Sequence, residues 1–148
     1  MICVDASVAV KWIFPEEYSR EAAALLEDSA QRGERLIAPQ FLPVETNNTI
    51  RRRMQRDGLT LAQAQALLGA FLRVPVTLAP TTPAERERLH QHALALADRF
   101  ALPAVYDAYY LALADLRRCP LWTDDRKLLR AVGEHMPNVR WIADYRSR

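Results

Sequence analysis

MICVDASVAVKW, residues 1–12, begins with an apolar run from Met1 to Val4, breaks on a carboxylate, and resumes as Val8-Ala9-Val10. A run that short and that apolar fits a buried strand. Asp5 stands where the strand should stop. An acid in that place either caps the helix that follows or forms the first piece of a site at a strand's carboxyl end. Which of the two holds depends on what the rest of the chain places beside it.

Beyond residue 12 the pattern alternates. A short helix ends near Phe14-Pro15, and SREAAALLEDSAQRG, residues 19–33, reads as a helix stopped by Gly33. Leu36-Ile37-Ala38 is a second strand, followed by a helix from about Phe41 to Arg56 that Asp57-Gly58 ends. Thr60 with Gln63 and Thr82 with Glu85 have capping-box spacing, and Pro83 takes the favoured first helical position. Leu61, Ala64, Leu67, Leu68, Phe71 and Leu72 keep helical spacing in one of these segments, and Leu89, Ala93, Leu96, Ala97 and Phe100 in the other. Between them Val74 to Ala79 is a third strand, which Pro75 assigns to a sheet edge. A helix over Tyr106 to about Arg118, a strand over Pro120 to Thr123, a short helix from Asp125 and a strand over Val139 to Ala143 complete the chain. Strands alternating with helices predict an α/β fold with a mostly parallel, five-stranded sheet.

The 148 residues, 50% hydrophobic and 26% charged, suit one globular domain over 1–148 whose core needs no disulfide or metal staple. A net charge of +2 excludes a polycation, so any nucleic-acid contact must come from a local patch. Cys3 and Cys119 sit in apolar runs, which suits a reducing compartment. The N-terminus shows no secretory pattern and no window is long enough for a membrane span, so the expected location is cytoplasmic.

In an open parallel sheet, ligands bind outside the carboxyl ends of the strands. Asp5, Asp124 and Asp125 follow strands directly, Glu45 is early in the helix after the second strand, and Asp107 is early in the helix before the fourth. Each has a structural alternative, because acids favour helix starts as caps or beside the helix dipole. Crowded carboxylates, however, repel one another unless a cation compensates them. An all-oxygen set favours Mg²⁺ or Mn²⁺, and such ions serve phosphoryl chemistry, of which nuclease action is a common form.

VDASVAVKW from Val4, Glu45 with Asn48 three residues on, YDAYYLALA from Tyr106 and TDDRKLL from Thr123 together resemble the PIN domain, and more closely the VapC-type ribonuclease toxins. The resemblance implies that Asp5, Glu45, Asp107 and Asp125 are the catalytic and metal-holding acids. It gives Ser7, Asn48, Thr123 and Asp124 supporting places, with Asp124 at the variable position of a Thr-x-Asp motif. It further implies a three-layer α/β/α sandwich, a Mg²⁺- or Mn²⁺-dependent endoribonuclease, an RNA substrate, a homodimer, and a small antitoxin protein as partner.

Arg51, Arg52 and Arg56 are candidates for gripping RNA phosphates, and Arg52 and Arg56 share a helix face. A solvated helix end is their plain alternative, as it is for Arg146 and Arg148 on the tail. His90 and His92, two apart on a helix, are expected on different sides, which argues against shared metal ligation. Tyr106, Tyr109 and Tyr110 are read as core or dimer packing before base stacking. Two rival functions remain: a catalytically silent RNA- or partner-binding module of the same fold, and a haloacid-dehalogenase-type phosphatase. The phosphatase would want a second acid where Ser7 stands.

Overall fold

The computed structural model describes residues 1–147, and Arg148 lies outside the described residues. Five strands form one sheet: β1 (Ile2–Val4), β2 (Leu36–Pro39), β3 (Val76–Ala79), β4 (Leu121–Thr123) and β5 (Val139–Trp141). Their order is β3-β2-β1-β4-β5 and every pairing is parallel. Cys3 pairs with both Ile37 and Leu121, so β1 is the central strand, and all three of its residues are buried. The chain winds from β1 out to β3, then returns to lay β4 on the other side of β1. That reversal opens a crevice at the carboxyl ends of β1 and β4.

The connections are helical: α1 (Ala6–Ala9), running into a 3-10 turn over Val10–Trp12, then α2 (Ser19–Gln31), α3 (Leu42–Asp57), α4 (Leu61–Leu72), α5 (Pro83–Arg99), α6 (Val105–Leu116) and α7 (Arg126–Val132). Strand alternation divides the core. Ile2, Val4, Leu36 and Trp122 pack with Ala22 and Leu25 of α2 and with Ile142 and Tyr145. Cys3, Ile37 and Leu121 pack on the opposite face with α5, α6 and α7. The result is the expected three-layer α/β/α sandwich. Both cysteines are buried and free.

Several boundaries differ from the sequence reading for local reasons. Val76, not Val74, opens β3, because Pro75 has no N–H and the Val76 amide bonds back to Val74. As predicted, β3 is an edge strand. β5 stops at Trp141 because Ile142–Asp144 tightens into a 3-10 turn. The capping box at Thr60 is complete. At Thr82 only the forward bond to the Glu85 amide forms, since the Glu85 carboxylate reaches the Thr81 amide instead. The apolar stripe of α4 is wider than its buried face: α4 packs on α3, which buries Ala64 and Phe71 and leaves Leu61 and Leu72 exposed. His90 and His92 both land on α6, on Tyr109 (2.5 Å) and Asp115 (2.7 Å), because α5 and α6 pack against each other. No helix among the described residues is long and apolar enough to cross a membrane.

Candidate active site at the carboxyl ends of the central strands

Asp5 leaves β1 in an extended conformation and is 6% exposed. Its Oδ1 accepts the Val8 amide at 3.1 Å, the bond of a helix cap, and also the Ser7 hydroxyl at 2.6 Å. Its Oδ2 accepts the Thr123 hydroxyl at 2.5 Å, across the gap to β4. Thr123 is itself fully buried, and its Oγ1 accepts the Asp125 amide at 2.9 Å. Ser7 Oγ accepts the Asp124 amide at 2.7 Å. Two hydroxyls that each donate to Asp5 and accept from the turn after β4 therefore lock the ends of the two strands together.

Burial pushes the Asp5 carboxyl up to about 6, against the hydrogen bonds from Ser7, Thr123 and the Val8 amide, with the charge of Asp107 adding to the rise. Glu45, in the first turn of α3, is also raised by burial and by Asp107, while the Tyr110 hydrogen bond and Arg52 oppose the rise. Asp107, in the first turn of α6, is raised by burial and by Asp125. The charge of Asp107 thus bears on both Asp5 and Glu45, and that of Asp125 bears on Asp107. No ion pair neutralises any of the four among the described residues. Nor do three or more of them, with or without His or Cys, close into a ready-made metal cluster among those residues. They form an open set of hard oxygen donors whose mutual repulsion a divalent cation would relieve, which is the donor chemistry that Mg²⁺ or Mn²⁺ takes.

The neighbouring aspartates diverge. Asp125 caps α7, its Oδ1 accepting the Lys127 and Leu128 amides at 2.7 and 3.0 Å. Asp124 instead pairs with Lys11 at 2.8 Å and accepts the Trp141 indole N–H at 3.0 Å. It is Asp125, not Asp124, whose charge acts on Asp107. Asn48 is exposed and bonds none of the acids.

Two participants were not picked out from the sequence. Tyr110, 2% exposed, donates its hydroxyl to Glu45 Oε2 at 2.5 Å. The reading as core packing holds for its ring and misses its O–H, although a buried tyrosine needs a polar partner. Lys11, 6% exposed, joins Asp124 to Glu16. A lysine inside the apolar run VAVKW was the available signal. Beside Ser7 and Asp124 an open groove of about 700 Å³ runs along α3, lined by Thr49, Arg52, Arg53 and Arg56 among others. Arg51 is exposed but does not line it. Arg146 is tied to the Ala143 and Tyr145 carbonyls.

Residues 2–134 match the PIN domain family. The VapC ribonuclease Mb0985 of Mycobacterium bovis is 34% identical over 132 residues, spanning 86% of this chain and 88% of that protein. Ribonuclease VapC9 of Mycobacterium tuberculosis matches with the same identity and coverage. The crystal structure of PAE2754 from Pyrobaculum aerophilum shares the fold with a TM-score of 0.65 at 20% identity, over 96% of this chain and 90% of that one.

Proposed function

Because the chain belongs to the PIN domain family, we propose that it is a divalent-metal-dependent endoribonuclease and the toxin of a toxin–antitoxin pair. The observation that supports this beyond family membership is the set of four acids linked pairwise by their charges, none with an ion-pair partner among the described residues. A phosphatase of the haloacid-dehalogenase type would need an acid in place of Ser7, which here is a hydroxyl bonded to Asp5.

In this reading Asp5, Glu45, Asp107 and Asp125 hold one or two Mg²⁺ or Mn²⁺ ions. Such an ion, when bound, would supply an acidified water and charge compensation for a phosphodiester. The protein's part is orientation. Ser7 and Thr123 fix both oxygens of Asp5, Tyr110 fixes one oxygen of Glu45, and the α7 amides fix one oxygen of Asp125. The bonds to Asp5 and Glu45 favour the ionised carboxylates that ligation requires. Arg52 and Arg56 line the groove that leads away from Ser7, which supports reading them as contacts for RNA phosphates, with Arg56 leaving its pair with Asp57 to make one. A small antitoxin protein and a second copy of the chain are the partners this reading implies.

The test is cleavage of RNA by the antitoxin-free protein with Mg²⁺ or Mn²⁺, with EDTA, and with Asp5→Asn. Cleavage that needs the metal and falls by about 100-fold or more in the variant is the expected result. Absence of both cleavage and metal binding would reduce Asp5 to a cap and the chain to a binding module.

A further inference from the structure

Two aspartates stand side by side after β4, and only one joins the acid set. Lys11, on the 3-10 turn after α1, is buried, with its ammonium 2.8 Å from Asp124 Oδ2 and 3.1 Å from Glu16 Oε1. Glu16 is shared with Arg53 of α3, whose guanidinium lies over the Phe14 ring. On its other oxygen Asp124 accepts the Trp141 indole N–H from β5. The Asp124 carboxylate is thus held from two elements, the 3-10 turn and β5, while its backbone N–H bonds Ser7 Oγ and the next amide bonds Thr123 Oγ1. With Asp124 drawn to Lys11, the turn is fixed so that Asp125 caps α7 and acts on Asp107.

We infer that Lys11 is a positioning residue that selects between the two adjacent carboxylates, withholding Asp124 from the metal-holding acids so that Asp125 alone completes them. This rests on the metal-site reading above. Without Lys11, Asp124 is a second, uncompensated carboxylate one residue from Asp125. The added negative charge strengthens the hold on a divalent cation, but in a geometry the hydroxyl clamp does not set. The signature is therefore a split: tighter metal and slower turnover. General damage to the fold would weaken both.

The experiment compares the wild type with Lys11→Met, Asp124→Asn and the double variant. Mn²⁺ affinity is measured by electron paramagnetic resonance, kcat on a random-sequence single-stranded RNA pool, and folding by thermal melting. Lys11→Met is expected to bind Mn²⁺ several-fold more tightly and to lose about tenfold or more in kcat, a loss in the range of outer-shell residues around metal sites. Adding Asp124→Asn returns both quantities toward wild type, because no stray carboxylate remains. Lys11→Met also leaves the half-buried Asp124 without its ion-pair partner, while Glu16 keeps Arg53, and will melt lower. If it does not fold, the double variant, which removes both partners, carries the test and must bind Mn²⁺ and turn over close to wild type. A double variant as impaired as Lys11→Met, or Lys11→Met with wild-type Mn²⁺ affinity, overturns the inference. A wild type that binds no Mn²⁺ overturns it together with the metal-site reading. A wild type that binds Mn²⁺ but cuts no RNA overturns only the nuclease, and the Mn²⁺ titrations then decide the role of Lys11.

Discussion

Asp5 caps a helix and ties two strands together at once, because its two oxygens do different things: Oδ1 closes the first turn of α1 and Oδ2 reaches β4. Its pH behaviour follows from its burial. With the carboxyl raised from 3.8 to about 6, the folded chain keeps a proton on Asp5 between those values that the unfolded chain has released. Folding stability without divalent ions should therefore fall as pH rises through that window. Asp5 contributes at most about 3 kcal/mol to the fall. Urea unfolding from pH 4 to 7 in EDTA measures it. Asp5→Asn, with nothing to ionise, should lose that part of the slope, and a wild type as flat as the variant would show that the Asp5 carboxyl is not raised.

At the scale of elements, α6 presents Asp107 to the other acids and Tyr110, one turn on, to Glu45. Tyr110→Phe keeps the ring and removes the O–H, costing about 1–3 kcal/mol of stability. The bond it removes lowers the Glu45 carboxyl, so that carboxyl rises further. The acidic limb of the cleavage rate should move to higher pH, and an unmoved limb would mean that Glu45 does not govern it. On α3, Arg52 and Arg56 face the groove and Arg51 does not. In an Asp5→Asn background, Arg52→Ala and Arg56→Ala should each weaken RNA binding and reduce the slope of log affinity against log salt by about 1. Arg51→Ala should change it less. If all three behave alike, the groove does not define the RNA path. The element order and the placing of Asp5, Glu45, Asp107 and Asp125 at strand ends and helix starts were legible in the sequence because helix periods, caps and strand ends are local signals. The Tyr110–Glu45 and Lys11–Asp124 contacts were not, because each partner is brought in from a distant element that only the sheet order places. The side of α3 that carries Arg51 was equally hidden until α4 had fixed which face is covered.

For the whole molecule, the winding of the sheet concentrates charge that folding alone leaves unsatisfied. β1 and β4 are neighbours across the point where the strand order reverses, so Asp5 and the turn after β4 meet at one edge, with Glu45 and Asp107 delivered by α3 and α6. The core holds these acids together against their repulsion, and on the reading proposed above a divalent ion that binds only the folded chain would return that cost. Mn²⁺ at about 100 times its Kd should add about 2.7 kcal/mol of stability. For a chain of this length that is a rise of about 5–10 °C in Tm. The rise should shrink below pH 6 as the Asp5 carboxyl takes up its proton, be reversed by EDTA, and vanish in Asp5→Asn. Calorimetric melts of the wild type and the variant at pH 5 and pH 7.5 supply the comparison. A Tm that rises equally in both proteins would place the ion elsewhere on the surface and separate the charge at the sheet edge from any metal.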